Sequence, residues 1–184
     1  MTIEEIEKKY SELINKALAI TKELDEPVHG IGHIMGVVEN TILLLEKEPA
    51  ADKEVCILSA YWHDVGRKDG KKGHGLKSAE MLKEELINLN YDEAFINKCY
   101  QAIYKHDEKD IPDTIEGKII KDADKLDNLG IKRWKECIDK DIRPPRIIPN
   151  LKENMLLLEY SKDLYNEKAK KWLNYLKSIT IGDE

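Results

Sequence analysis

A chain of 184 residues is the size of one domain and buries enough surface on folding to need no disulfide staple. Its 30 basic and 36 acidic residues leave a net charge of -6. That balance argues against a general nucleic-acid binder, which carries a basic excess, but leaves room for a local basic pocket. The dispersed cysteines Cys56, Cys99 and Cys137 form no CxxC pair and read as buried thiols of a reducing, cytoplasmic compartment. No stretch approaches the roughly 20 apolar residues of a membrane span, and the acidic opening MTIEEIEKKY shows no signal peptide.

Apolar residues recur at three- and four-residue spacing, which predicts an all-α bundle, a single domain over 1–184. Ile3, Ile6, Tyr10, Leu13, Ala17 and Leu24 share one face of a first helix, and Thr2 with Glu5 offers it a capping box. A second helix runs from about His33 to Lys47, with Ile34, Val37, Val38, Thr41 and Leu45 on its inner face. A third follows Pro49, carries Val55, Leu58 and Trp62, and ends near Gly66. GRKDGKKGHG reads as a polar loop. Leu76, Ala79, Leu82 and Leu86 mark a fourth helix, and Asn90 with Glu93 caps a fifth bearing Phe95, Cys99, Ala102, Ile103 and His106. Asp113 and Glu116 cap a sixth, with Ile119, Ala123 and Leu126. Three prolines keep IRPPRIIPN from being helical. Asn150 with Glu153 then opens a long C-terminal helix bearing Met155, Leu158, Tyr165, Ala169, Trp172 and Leu176, so that 140–184 is a proline-rich connection followed by a helix. No alternating strand, internal repeat or low-complexity segment interrupts the pattern.

All five histidines lie between positions 29 and 106. Imidazole nitrogen together with carboxylate oxygen suits Mn, Fe, Co, Ni, Zn or Mg rather than a metal that prefers thiolate. His63 and Asp64 are adjacent in AYWHDVGRK, at the end of an apolar helix. Neighbours on a helix point about 100° apart, so both reach one ion only where that helix meets its neighbours. HGIGHIMGVV stands upstream and KIIKDADKLDNLG downstream. In the latter, Asp124 follows the apolar Ile120 by four residues and faces inward, Asp127 is placed to hold a ligand histidine, and Asp122 reads as part of a solvated face. GIG at 30–32 lacks both the third glycine and the preceding strand of a dinucleotide fingerprint.

The order H, then HD, then D within DADKLD, each on its own helix, resembles the HD-domain superfamily of metal-dependent phosphohydrolases over about residues 25–135. The family pattern HDxxHxxRV aligns its metal-binding histidine with His33 and its outer histidine with His29. Its HD pair aligns with His63 and Asp64, and its last aspartate with Asp124. Gly30 and Gly36 stand where an aspartate and an arginine are common in the family; neither is a metal ligand in its pattern.

The resemblance implies a compact bundle of HD-domain type and one or two divalent ions. Members with two metals carry further histidines in segments like KKGHGLKSAEML and IYKHDE, which implies a second ion at His74 and His106 with Asp64 bridging. The plainer readings stay open: a mobile loop residue for His74 and a hydrogen-bonded core residue for His106. Asp64 is expected to orient the attacking water, and His29 or a lysine to protonate or neutralise the leaving oxygen. Arg67 and Lys68 are expected to hold phosphate oxygens, with Lys125 and Arg133 doing the same from the far side. Lys71 and Lys72 read as a solvated loop. The implied partner is a nucleotide or another small phosphate ester or anhydride. No membrane or nucleic acid is expected, and a homodimer is a further expectation. The resemblance leaves two alternatives: a di-iron oxygenase of the same superfamily, and a nucleotide-binding sensor without catalysis.

Overall fold

The Thr2 hydroxyl accepts from the Glu5 backbone at 3.2 Å while the Glu5 carboxylate accepts from the Thr2 backbone at 2.8 Å. This reciprocal cap starts the first helix where the sequence predicts it. A computed structural model describes residues 1–24, 26–107, 109, 111–140, 142 and 155–180. Among these residues it contains helices and turns and no strand, in agreement with the all-α expectation.

The expected first helix is two: α1 (Ile3–Lys9) and α2 (Ser11–Glu23) meet at Tyr10. The break turns Tyr10 into the core, where it stacks on Phe95 at 5.7 Å between ring centres and donates its hydroxyl hydrogen to Glu54. A short 3-10 turn, Pro27–His29, leads into α3 (Ile31–Leu45). The segment Pro27–Leu45 is long and apolar enough, by length and composition, to cross a membrane, which corrects the expectation that no stretch is. Half of it is buried, and it packs on α4 (Lys53–Trp62), α7 (Ile115–Leu126) and α8 (Ile131–Ile138), as the central helix of the bundle. Asn40 on α3 donates to the Ala123 carbonyl on α7 at 2.9 Å and so fixes the register of that pair.

Trp62, with no exposed surface, anchors the end of α4 and donates its indole N–H to the Leu13 carbonyl at 3.1 Å. Burying a side chain of that size is worth about 1.5–3 kcal/mol. The fourth predicted helix begins earlier than expected: α5 (His74–Asn88) takes in the end of the predicted glycine loop, whose beginning lies in a 3-10 turn at Val65–Asp69. Asp92 rather than Asn90 caps α6 (Glu93–Ile103), because Asn90 adopts a left-handed backbone (φ 57°) just before it. Thr114 rather than Asp113 caps α7, its hydroxyl accepting from Gly117 at 3.1 Å. Helix α8 has no counterpart among the sequence expectations.

The C-terminal helix α9 (Glu159–Thr180) begins later than predicted, so Met155 and Leu158 precede it. The expected Asn150–Glu153 cap lies outside the described residues, as does IRPPRIIPN apart from Ile142. Helix α9 packs on α7, and its fully buried Trp172 lies 5.9 Å from Trp134 between ring centres. The segment leading into α9 is held by Asp122, whose carboxylate accepts the backbone N–H groups of Leu157 and Leu158 at 2.9–3.0 Å. Asp122 is therefore fully buried, not on a solvated face as its acidic surroundings suggest. Cys56, Cys99 and Cys137 are buried free thiols.

Candidate metal centre

The HD pair ends α4. His63 still has helical backbone, whereas Asp64 leaves the helix at φ -105°, ψ 0°. There the two adjacent side chains approach each other, with His63 Nε2 3.8 Å from Asp64 Oδ2. His33, one turn into α3, meets them from the facing helix. Its Nε2 lies 3.2 Å from His63 Nε2 and 3.4 Å from Asp64 Oδ2. Asp124 of α7 closes this group, with its Oδ1 3.4 Å from His33 Nε2. Two donors bonded to one ion at about 2.1 Å stand roughly 3 to 3.4 Å apart for right-angled to tetrahedral geometry.

On the other side of Asp64, His74 Nε2 lies 2.9 Å and His106 Nε2 3.6 Å from Oδ1. His74 opens α5 and is buried, so the mobile-loop reading of it is corrected. Gly66 permits this arrangement: a Cβ there would lie 2.5 Å from the His74 carbonyl oxygen, so a side chain would push the start of α5 away. His106 lies in the turn after α6, where its backbone N–H and its Nδ1 both reach the Ile103 carbonyl.

The outward nitrogens of these histidines are all satisfied. His33 Nδ1 faces Asp127 Oδ2 at 2.7 Å, His63 Nδ1 the Ala60 carbonyl at 2.8 Å, and His106 Nδ1 the Ile103 carbonyl at 2.9 Å. His74 Nδ1 has the Lys71 carbonyl at 2.9 Å and Asp107 Oδ2 at 3.1 Å. Each partner is an acceptor, so each Nδ1 carries the hydrogen and each Nε2 turns a lone pair inward, the tautomer a metal needs. Both oxygens of Asp64 and His106 Nε2 are buried without a hydrogen-bond partner. Buried polar atoms are rarely left in this way. The donor set therefore fits a divalent cation, and His33, His63, Asp64, His74 and His106 form a potential metal site in two groups that share Asp64.

The electrostatics show a site that attracts positive charge, which a proton on His33 supplies here and a cation would supply in its place. Burial would lower His33, but Asp124, Asp127 and Asp64 around it push it up to about 10. Burial would raise Asp64, yet the His63, His106, His33 and His74 rings that face it hold it well below the usual carboxylate range. Asp124 is likewise held down against its burial by His33 and His63. His63 has Asp64 Oδ2 3.8 Å away, but burial outweighs the pull of that carboxylate and pushes it down to about 4.

Around this centre the remaining predicted residues separate. Arg67 reaches Asp64 Oδ2 with Nε at 2.7 Å, although not aligned as a hydrogen bond, and Glu26 with Nη1 at 3.7 Å. Lys68 is exposed. Behind Arg67 lies a cavity of about 440 Å³ lined by Ile20, Glu23, Leu24, Glu26, Arg67, Lys68 and Lys71. Lys71 is a solvated residue of the rim, its side chain 78% exposed, and pairs there with Glu26 at 2.7 Å.

His29 lies on the opposite rim, 5.4 Å from His33 between ring centres, and burial pushes it down to about 3. Such a residue is neutral near pH 7. Arg133 is buried, spanning Asn128 at 3.4 Å, His29 at 3.5 Å and Asp127 at 3.7 Å, so it supports the site from behind. Lys125 is half-buried on α7, and its charge acts on Asp122. Glu26, Asp107 and Glu136 were not anticipated. Glu136 accepts the Gly32 N–H at 2.8 Å at the start of α3, a pairing across 104 positions that no local pattern announces. Asp107 had one available signal, its place directly after His106.

The HD-domain profile matches residues 30–129. No curated protein matches the chain. Among solved structures, the crystal structure of a predicted HD superfamily hydrolase from an uncultured Thermotogales bacterium shares the fold, with a TM-score of 0.75 and 21% identity over 99% of each chain.

Proposed function

Since the chain belongs to the HD-domain family, and its histidine–aspartate cluster is that of a metal-dependent hydrolase, we propose that it hydrolyses a small phosphate ester or anhydride, with nucleotides as the first class to test. One observation carries this reading: Asp64 is buried with both oxygens free of hydrogen bonds and histidine nitrogens on either side. His33, His63, Asp64 and Asp124 would hold the ion. When bound, a divalent ion supplies Lewis-acid polarisation of the phosphoryl group and lowers the pKa of a coordinated water.

The chain's own residues supply the rest. Asp64 stands where it can both ligate and align the attacking water, and Arg67 beside it is placed to neutralise charge on the phosphoryl oxygens. The cavity behind Arg67 would take the organic part of the substrate, with Ile20 and Leu24 offering apolar surface and Lys68 and Lys71 facing further phosphates. Asp127 and Arg133 keep His33 in place.

The test is a panel of phosphate monoesters, nucleotides and pyrophosphates, assayed on metal-stripped protein resupplied with Mn, Co, Ni, Mg or Fe under anaerobic conditions. Phosphate release that depends on added metal and is lost in His63→Ala is the expected result. Binding of nucleotide without turnover under every metal would overturn the hydrolase. Turnover that requires oxygen would replace it with an oxidative reaction.

A further inference from the structure

Glu26 stands between α2 and the Pro27–His29 turn, and the proline after it keeps its backbone away from helical angles, at φ -138°, ψ 83°. From there its side chain, 21% exposed, reaches both rims of the metal centre. Oε1 lies 2.7 Å from Lys71 Nζ and 3.4 Å from His29 Nδ1, and Oε2 lies 3.7 Å from Arg67 Nη1. Arg67 is thereby held between two carboxylates, with Asp64 Oδ2 2.7 Å from its Nε. The cavity behind it has three cations, Arg67, Lys68 and Lys71, and two acids, Glu23 and Glu26. Glu26 engages two of these cations, and the other, Lys68, is exposed.

We propose that Glu26 is a specificity-determining residue that selects against a second phosphate, so that the substrate carries one phosphoryl group on an uncharged, hydroxyl-bearing organic part. This rests on the hydrolysis proposed above, with the cavity behind Arg67 as the seat of the organic part. A phosphoryl group at the metal centre meets the inner side of Arg67, next to Asp64. A second phosphate would enter on the outer side, where Arg67 Nη1 and Lys71 already face Glu26. It reaches those cations only by displacing the carboxylate or by lying beside it. Like charges brought this close oppose binding, and most where water screens them least. Arg67 and Glu26 are only 13% and 21% exposed, so screening between them is partial. A sugar or polyol hydroxyl meets no such opposition, because it can donate its hydrogen to Glu26 or Glu23.

The experiment uses the metal-loaded protein and the methylene phosphonate analogues of AMP and ADP, which share one organic part, differ by one phosphate and resist hydrolysis. Titration calorimetry measures their binding. Wild type should bind the AMP analogue at least as tightly as the ADP analogue. Glu26→Gln should tighten the ADP analogue about tenfold and the AMP analogue less than about threefold. Glu26→Asp keeps the charge and should hold the ratio nearer to wild type. Adding Lys71→Gln to Glu26→Gln should take back part of the gain, because the freed ammonium supplies some of it. With AMP and ADP themselves as substrates, KM should fall more for ADP than for AMP in Glu26→Gln.

Equal tightening of both analogues in Glu26→Gln would overturn the proposal, since it would show only a general effect of charge. Weaker binding of either would overturn it too, because the carboxylate would then be needed to hold Arg67 in place. So would a wild type that prefers the ADP analogue, or one that binds neither, and phosphate release from other esters would leave the hydrolase standing in each case. The expected binding ratios without phosphate release from any ester or anhydride would count against the hydrolase and leave the selectivity of the cavity intact.

Discussion

On one face of α7, Asp124 meets His33 Nε2 and Asp127, just beyond the helix, meets His33 Nδ1; on another, Asp122 accepts two backbone N–H groups of the segment entering α9. All these carboxylates point inward, and the acidic pattern DADKLD does not tell them apart. What separates them is what each faces. Asp124 and Asp127 surround an imidazole with negative charge that a cation can neutralise. Asp122 has its charge shared among neutral amide donors and asks for no ion. Burial of an acid on a functional helix is therefore no guide to chemistry until its partners are known.

The comparison breaks most severely at the residue both metal groups share. Asp64→Ala should remove all bound metal and all hydrolysis while circular dichroism stays helical, because α4 is anchored independently by Val55, Leu58 and Trp62. Full metal occupancy in that variant would end the assignment. Asp124→Asn should cost hydrolysis about 100-fold or more and weaken the first ion, since it takes a charged ligand from the ion. Elemental analysis beside a rate assay measures both, and unchanged metal content would place Asp124 outside the site.

Asp127→Asn should be milder, lowering metal affinity about 10- to 100-fold through the orientation of His33. Asp122→Ala sharpens the contrast from the other side. It should lower unfolding free energy by about 2–3 kcal/mol, through the loss of charge-assisted hydrogen bonds, and leave affinity for Mn²⁺ within about twofold of wild type, a change of only about 0.4 kcal/mol. A denaturant titration and a metal titration separate the two effects. Loss of metal in Asp122→Ala at full folding would show that the two faces are not independent.

Most of the helices could be read from the sequence, because the period of about 3.6 residues survives wherever one face is buried. Their ends were harder. Asn90 and Asp113 are capping residues by type, yet Asp92 and Thr114 do the capping, because a cap depends on backbone angles that the following helix sets. Tyr10 fits the periodic face of a single helix, and only its stacking on Phe95 and its bond to Glu54 show why the chain breaks there. His74 sits among glycines and lysines, a setting that left a mobile loop residue and a metal ligand both open. It is buried because Gly66 lets the start of α5 approach the end of α4.

By itself the sequence determined the helical class, the residues able to ligate a metal, and the family, because periodicity, donor chemistry and motif order are local or linear properties. Tertiary structure alone decided that Asp64 faces histidines on both sides and that Arg133 is buried between Asp127 and His29. It also decided that Asp107 reaches His74 and that Asp122 secures the segment before α9. Each of these depends on which groups meet across helices, over distances of a few ångströms between residues as many as 104 positions apart. Hydrogen bonds and ion pairs act only at that range, so no linear pattern contains them.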